Sequence, residues 1–73
     1  MNVTIKIVDD KVYKKIAVDV LEFGTVAHSY GFDYESPEIL CAGSALYDAC
    51  AEATRQMDEY TRRGFAVDLQ QDY

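Results

Sequence analysis

The sequence is poor in the residues that usually bind metals and phosphates. It has one histidine, two cysteines and four glycines. Cys41 and Cys50 lie nine residues apart on one predicted helix. At ~100° per residue they lie on opposite sides of that helix, so they cannot form a disulfide or share a metal. The glycines never fall at GxGxxG or P-loop spacing, and no Asp-x-Asp calcium loop is present. We therefore expect no metal site and no cofactor.

Long apolar segments and basic residues are also scarce. No apolar segment approaches the roughly 20 residues that cross a bilayer. Lys6, Asp9 and Asp10 interrupt the N-terminal apolar residues, which is unlike a signal peptide. Thirteen acidic residues against seven basic ones give a net charge of −6, and such a surface repels nucleic acids and anionic membranes. We expect one cytoplasmic domain over residues 1–73, with reduced cysteines and no direct binding to nucleic acid or membrane.

Apolar and polar residues alternate in three N-terminal segments, which is the period of half-buried strands. The first segment contains Val3, Ile5 and Ile7, and the second runs from about Val12 to Leu21. The third places a row of mostly aromatic residues on one face: Val26, His28, Tyr30, Phe32 and Tyr34. Turn residues separate the segments, so we expect a three-stranded antiparallel meander.

A long helix is predicted after the meander. Ser36-Pro37-Glu38 is typical of a helix start, and Arg62, Arg63 and Gly64 are typical of a helix end. Between them a stripe of apolar and small residues recurs at spacings of three and four: Ile39, Gly43, Leu46, Cys50, Ala53, Met57 and Tyr60. The pattern predicts a helix over about 37–63, unbroken or broken near Gly43, with Leu46 and Met57 among the most buried residues. The small residues of the stripe suit either close packing on the sheet or a homodimer through the helix.

Phe65, Val67 and Leu69 alternate with polar residues and predict a last strand over about 65–69, followed by a tail. The whole chain is therefore expected to be an α+β domain with the element order βββαβ.

Cys41 and His28 are the candidate catalytic residues. On an unbroken helix Cys41 lies on the polar side, and its position in the second turn lowers a thiol pKa. His28 could serve as the general base for such a thiolate. The alternatives are an incidental thiol and a half-buried strand histidine.

Two segments resemble a known enzyme family. Ala27-His28-Ser29, followed by the run from Glu38 to Leu46 that includes Cys41-Ala42-Gly43, is similar to the Prp family of bacterial cysteine proteases, which process a ribosomal protein. The resemblance implies His28 as base and Cys41 as nucleophile. Ala27 stands where the family has glycine, and the chain is shorter than a typical member. In size and charge it also resembles small acidic phage inhibitors such as anti-CRISPR proteins.

Acidic residues form the second candidate site. Asp33, Glu35 and Glu38 cluster around the predicted helix start, and Asp48 and Glu52 are a like-charged pair one turn apart. Carboxylates at such spacings resemble backbone phosphates, so a basic cleft of a nucleic-acid-binding protein could accept them. The alternative is an acidic surface that only keeps the protein soluble. Our first hypothesis is a non-enzymatic inhibitor that binds a basic protein surface, and the second is a reduced Prp-like protease.

Overall fold

The computed structural model describes residues 1–33 and 41–72, and for residues 41–44 it describes the backbone alone. Its elements are β1 (Asn2–Asp10), β2 (Lys15–Glu22), β3 (Thr25–Asp33), α1 (Cys41–Arg62) and β4 (Ala66–Asp72). The strands form one sheet in the order β3-β2-β1-β4. β2 is antiparallel to both β1 and β3, whereas β4 is parallel to β1. The chain segment that contains α1 therefore leads from one edge of the sheet to the other.

The element order and the strand count match those expected, but the predicted form of the sheet is wrong. β4 pairs in parallel with β1, so the sheet is mixed and not simply a meander followed by a strand. β4 also continues to Asp72, where a tail was expected, and its residues 70–72 pair with β1. These last residues are exposed and polar on both faces, so they carry no alternating pattern that would mark a strand.

The predicted bounds of the helix also need correction. α1 ends at Arg62, and its expected start at Ser36-Pro37 lies outside the described residues. From Cys41 onward the helix is continuous through Gly43, so the described backbone has no break there. Gly64 has a φ of 89°, which confirms it as the left-handed cap, and Phe65 N–H donates to the Tyr60 carbonyl at 3.0 Å.

The core is a single layer between α1 and one face of the sheet. Among the described side chains, ten are at most 2% exposed: Val3, Ile5, Ile7, Ile16, Val18, Val20, Ala45, Ala49, Ala53 and Tyr60. The prediction that Leu46 and Met57 are among the most buried residues is wrong, because both are only partly buried at the margin of this core. The alanines face the sheet because the strands already supply large Ile and Val side chains, and small residues let the helix approach them closely.

The β2–β3 hairpin has a two-residue loop, Phe23-Gly24, between the paired residues Glu22 and Thr25. Both loop residues have positive φ, 56° for Phe23 and 81° for Gly24, as a type I′ turn requires. Phe23 is an unusual residue for this conformation, and its ring is 73% exposed. The hairpin also contains a bulge where the register shifts between Val20 and Leu21.

Candidate functional site

The face of the sheet opposite α1 is an acidic surface of the described part of the chain. Strand alternation turns the buried Val and Ile residues toward α1 and their neighbours in sequence toward the other side. We call this other side the open face. Five aspartates and two lysines lie on it: Asp10, Asp19, Asp33, Asp68, Asp72, Lys6 and Lys15. The open face therefore has an excess of three negative charges.

The two lysines of the open face offset only part of this charge. Lys6 is paired in register with Asp19, and Lys15 lies between Asp10 and Asp33 in neighbouring strands. Residues directly opposite each other on one face interact across the strands. On β4, in contrast, Asp68 is opposite Thr4 and Asp72 is opposite Val8. The uncompensated charge therefore concentrates along β4.

Several carboxylates of the open face and its surroundings have local partners. Asp19 accepts a hydrogen bond from Ser29 Oγ at 2.7 Å. Asp10 accepts the backbone N–H groups of Val12 and Tyr13 at 3.1 and 3.2 Å, which stabilises the β1–β2 turn. Asp68 receives a weak bond of 3.3 Å from Gln70 Nε2. These bonds orient the carboxylates but leave their negative charge uncancelled.

Glu52 on α1 lies in a different environment from Asp48. Its carboxylate pairs with Arg55 and accepts a bond from Gln56 Nε2 at 2.8 Å. Gln56 in turn lies 3.3 Å from the Tyr30 hydroxyl on β3. Bonding to Arg55, and then to Gln56, lowers the pKa of Glu52 below its usual value. Glu52 is therefore part of the contact between the helix and β3, whereas Asp48 is exposed.

The structure distributes the acidic residues of the predicted site over two layers. Asp33 is exposed at the end of β3 and belongs to the open face. Asp48 and Glu52 lie one turn apart on α1, which covers the opposite face. Glu35 and Glu38 lie outside the described residues. Asp33 and the two helical residues thus belong to different surfaces.

The candidate catalytic residues are only partly described. His28 is an exposed residue of β3, and its ring centroid lies 6.4 Å from that of Tyr30. Cys41 is the first residue of α1, and its side chain lies outside the described part. Cys50 is half-buried against the core. The pairing of His28 with Cys41 therefore stays a prediction.

Metal sites, pockets and membrane-spanning helices are absent from residues 1–33 and 41–72. Within these ranges no group of three or more His, Cys, Asp or Glu side chains could hold a metal ion, and no pocket is present. α1, the helix of the described part, is not apolar enough to cross a membrane.

Sequence reasoning missed the main contributors to the open face, Asp19, Asp68 and Asp72. The alternation in β2 already places Asp19 opposite the apolar row. The contribution of β4 could not be recognised, because it depends on the parallel pairing of β4 with β1.

Comparison with known proteins assigns no relative to the chain. No protein-family model, no curated protein and no solved structure matches it. The resemblances to the Prp family and to anti-CRISPR proteins remain hypotheses from the sequence.

Proposed function

We propose that the chain is a small acidic protein-binding module whose open face occupies a basic surface of another protein. The observation that carries the proposal is the excess of carboxylates on this face, which is greatest along β4 at Asp68 and Asp72. Both residues are exposed. Exposed charges of one sign steer association with a surface of the opposite sign and select against partners of the same sign.

A basic surface on another protein commonly serves to bind nucleic acid. Neighbouring strands lie about 4.8 Å apart, and alternate residues on one face of a strand about 7 Å apart. Asp68 and Asp72 are four residues apart on β4, so their carboxylates are roughly 13 Å apart, and the open face resembles nucleic acid in the sign of its charge and not in the spacing of its phosphates. The most concrete version of the proposal is an anti-CRISPR-like inhibitor of phage origin that acts in the cytoplasm by excluding nucleic acid from its target.

The proposal is tested with two double variants that change the net charge equally. Asp68→Lys with Asp72→Lys alters the open face, and Asp48→Lys with Asp58→Lys alters exposed positions of α1. Each Asp→Lys exchange removes one negative charge and adds one positive charge, so both variants carry −2 where the unmutated chain carries −6. Each protein is immobilised and incubated with lysate of the native host at low salt. Mass spectrometry identifies the retained proteins, and a short DNA duplex is then added as competitor.

The unmutated chain and the helix variant should retain the same basic nucleic-acid-binding protein, and the open-face variant should lose it. We expect binding to weaken at least about tenfold between low and physiological salt, because screening shortens the reach of exposed charges. The DNA duplex should displace the chain from its partner. Loss in the helix variant alone would place the site at Asp48, as the sequence predicts. Equal retention in all three proteins, independent of salt, would contradict binding through the acids.

A further inference from the structure

The outer edge of β3 is a second surface with the properties of an interaction site. β3 pairs with β2 along one side, and no strand of the described part lies along its other side. Such an edge presents unpaired backbone N–H and C=O groups that can pair with another chain. Every residue of β3 is exposed except Tyr30 and Phe32, so the edge is accessible along its whole length.

β3 contains a bulge at Val26 and Ala27, but it lacks the other devices by which monomeric proteins protect a sheet edge. Charged residues, prolines and short strands usually serve this purpose. β3 is nine residues long, and residues 25–32 contain no Asp, Glu, Lys, Arg or Pro. The opposite edge, β4, is shorter and carries Asp68 and Asp72. The two edges therefore differ, and only β4 is protected by charge.

From these observations we propose that β3 pairs antiparallel with β3 of a second copy of this chain, around a two-fold axis at Ser29. In this register His28 of each copy is opposite Tyr30 of the other, and both side chains lie on the face of the sheet that carries α1. β-branched and aromatic residues form favourable pairs across strands. The bulge at Val26 and Ala27 interrupts the regular pairing beyond these residues, and residues 25–32 carry no charged side chain, so no like charges are opposed there.

A second copy fits this edge better than the other arrangements do. Pairing of β4 with β4 would bring the carboxylates of Asp68 and Asp72 of both copies together. Pairing of β3 with β4 would leave a free edge at each end and propagate into an open chain of molecules, whereas two β3 strands close a symmetric dimer. A basic partner would find no opposite charge along residues 25–32. The uncharged edge is therefore where repulsion between two chains of charge −6 is weakest.

The dimer has a consequence for the open face. A two-fold axis perpendicular to the sheet places both α1 helices on one side and joins the two open faces into one continuous acidic surface. The dimer does not depend on the proposed partner, and salt separates the two interactions. Added salt should strengthen the association of two negatively charged chains and weaken that of acidic and basic surfaces.

Sedimentation equilibrium of the full chain tests the proposal in about 0.01 M and about 0.15 M NaCl, where the Debye length is ~30 Å and ~8 Å. We expect a dimer whose dissociation constant falls as salt rises. His28→Asp places a charge at an exposed edge position, and Val26→Asp does so at a residue that is 53% exposed. Each should raise the dissociation constant at least about tenfold, because uncompensated carboxylates would enter the interface.

Gln71→Asp, at an exposed position of β4, is the matched control and should leave the dimer unchanged. Circular dichroism verifies that all three variants are folded, and hydrogen exchange at high and low protein concentration should show protection gained in β3. A monomer at all concentrations would overturn the proposal. So would a dimer that dissociates only in the Gln71→Asp variant, or one that neither β3 substitution affects.

Discussion

Tyr60 shows how one side chain connects the end of the helix to the sheet. Its ring is buried, its hydroxyl donates a hydrogen bond to Glu22 at the end of β2, and the Phe65 ring meets it edge-on at 5.1 Å between centroids. The Arg63 guanidinium lies 4.7 Å from the Tyr60 centroid and covers the ring. Burial, followed by the bond to the Glu22 carboxylate, raises the pKa of Tyr60.

This raised pKa predicts a loss of stability at alkaline pH. The folded state favours the neutral phenol, so the contribution of Tyr60 is complete below the ordinary tyrosine pKa of about 10 and is lost as pH rises through the folded value. Tyr60→Phe should cost about 0.5–1.5 kcal/mol at neutral pH and should remove this part of the alkaline loss. Urea unfolding of both proteins between about pH 7 and pH 11 measures it. Parallel loss in both proteins would assign the alkaline transition to another group.

At the same scale, Asp48 and Glu52 show what the sequence can and cannot predict. The sequence treats them as an equivalent like-charged pair, and the exposed helical position of Asp48 supports that view of this residue alone. Glu52 differs because Gln56, which bonds to it, also contacts Tyr30 on β3. Tyr30 is 26 residues away from Gln56 in the sequence, so no local pattern predicts this contact. Reversing the charge of Glu52 would therefore disturb the fold as well as the surface.

At the scale of elements, the spacing of apolar residues predicts most of the strands and the helix, but it does not predict how these elements pack together. Alternation marks the buried rows of β1 and β2, and Gly64 marks the end of α1. The predicted stripe shares Ala53 and Tyr60 with the buried face of α1, but it contains Leu46 and Cys50 where the structure buries Ala45 and Ala49. Large apolar residues are usually buried before small ones, but the Ile and Val side chains of the strands already fill this core, so the alanines of α1 face the sheet. The strand with which β4 pairs depends on where α1 ends relative to the sheet. No local sequence pattern predicts that position.

The rotation of α1 is tested by the same substitution on two sides of the helix. Ala49 is fully buried against the sheet, and Ala51, two residues away, is exposed. Ala49→Leu should destabilise the protein by about 1–3 kcal/mol or more, because the larger side chain must push the helix off the sheet. Ala51→Leu should change the stability by less than about 0.5 kcal/mol. Denaturant unfolding compares the two variants, and equal costs would mean that α1 packs with a different face.

At the scale of the whole molecule, the net negative charge destabilises the folded state. The chain carries −6, and within the described residues Arg55–Glu52 is the one ion pair. A net charge far from zero opposes the compact state through self-repulsion. The same charge that would attract a basic partner therefore lowers the stability of the isolated domain.

This balance predicts that salt stabilises the isolated protein. The unmutated chain should gain a few degrees in Tm between about 0.01 M and about 0.15 M NaCl, since about 1 kcal/mol corresponds to about 4–8 °C in a domain of this size. The gain should shrink in both double Asp→Lys variants, Asp68 with Asp72 and Asp48 with Asp58, because each lowers the net charge from −6 to −2. Thermal melts at two protein concentrations separate this effect from dimerisation, since only the dimer contribution depends on concentration. If the gain disappears in one double variant and persists in the other, the repulsion is local to that surface and is not a property of the whole molecule.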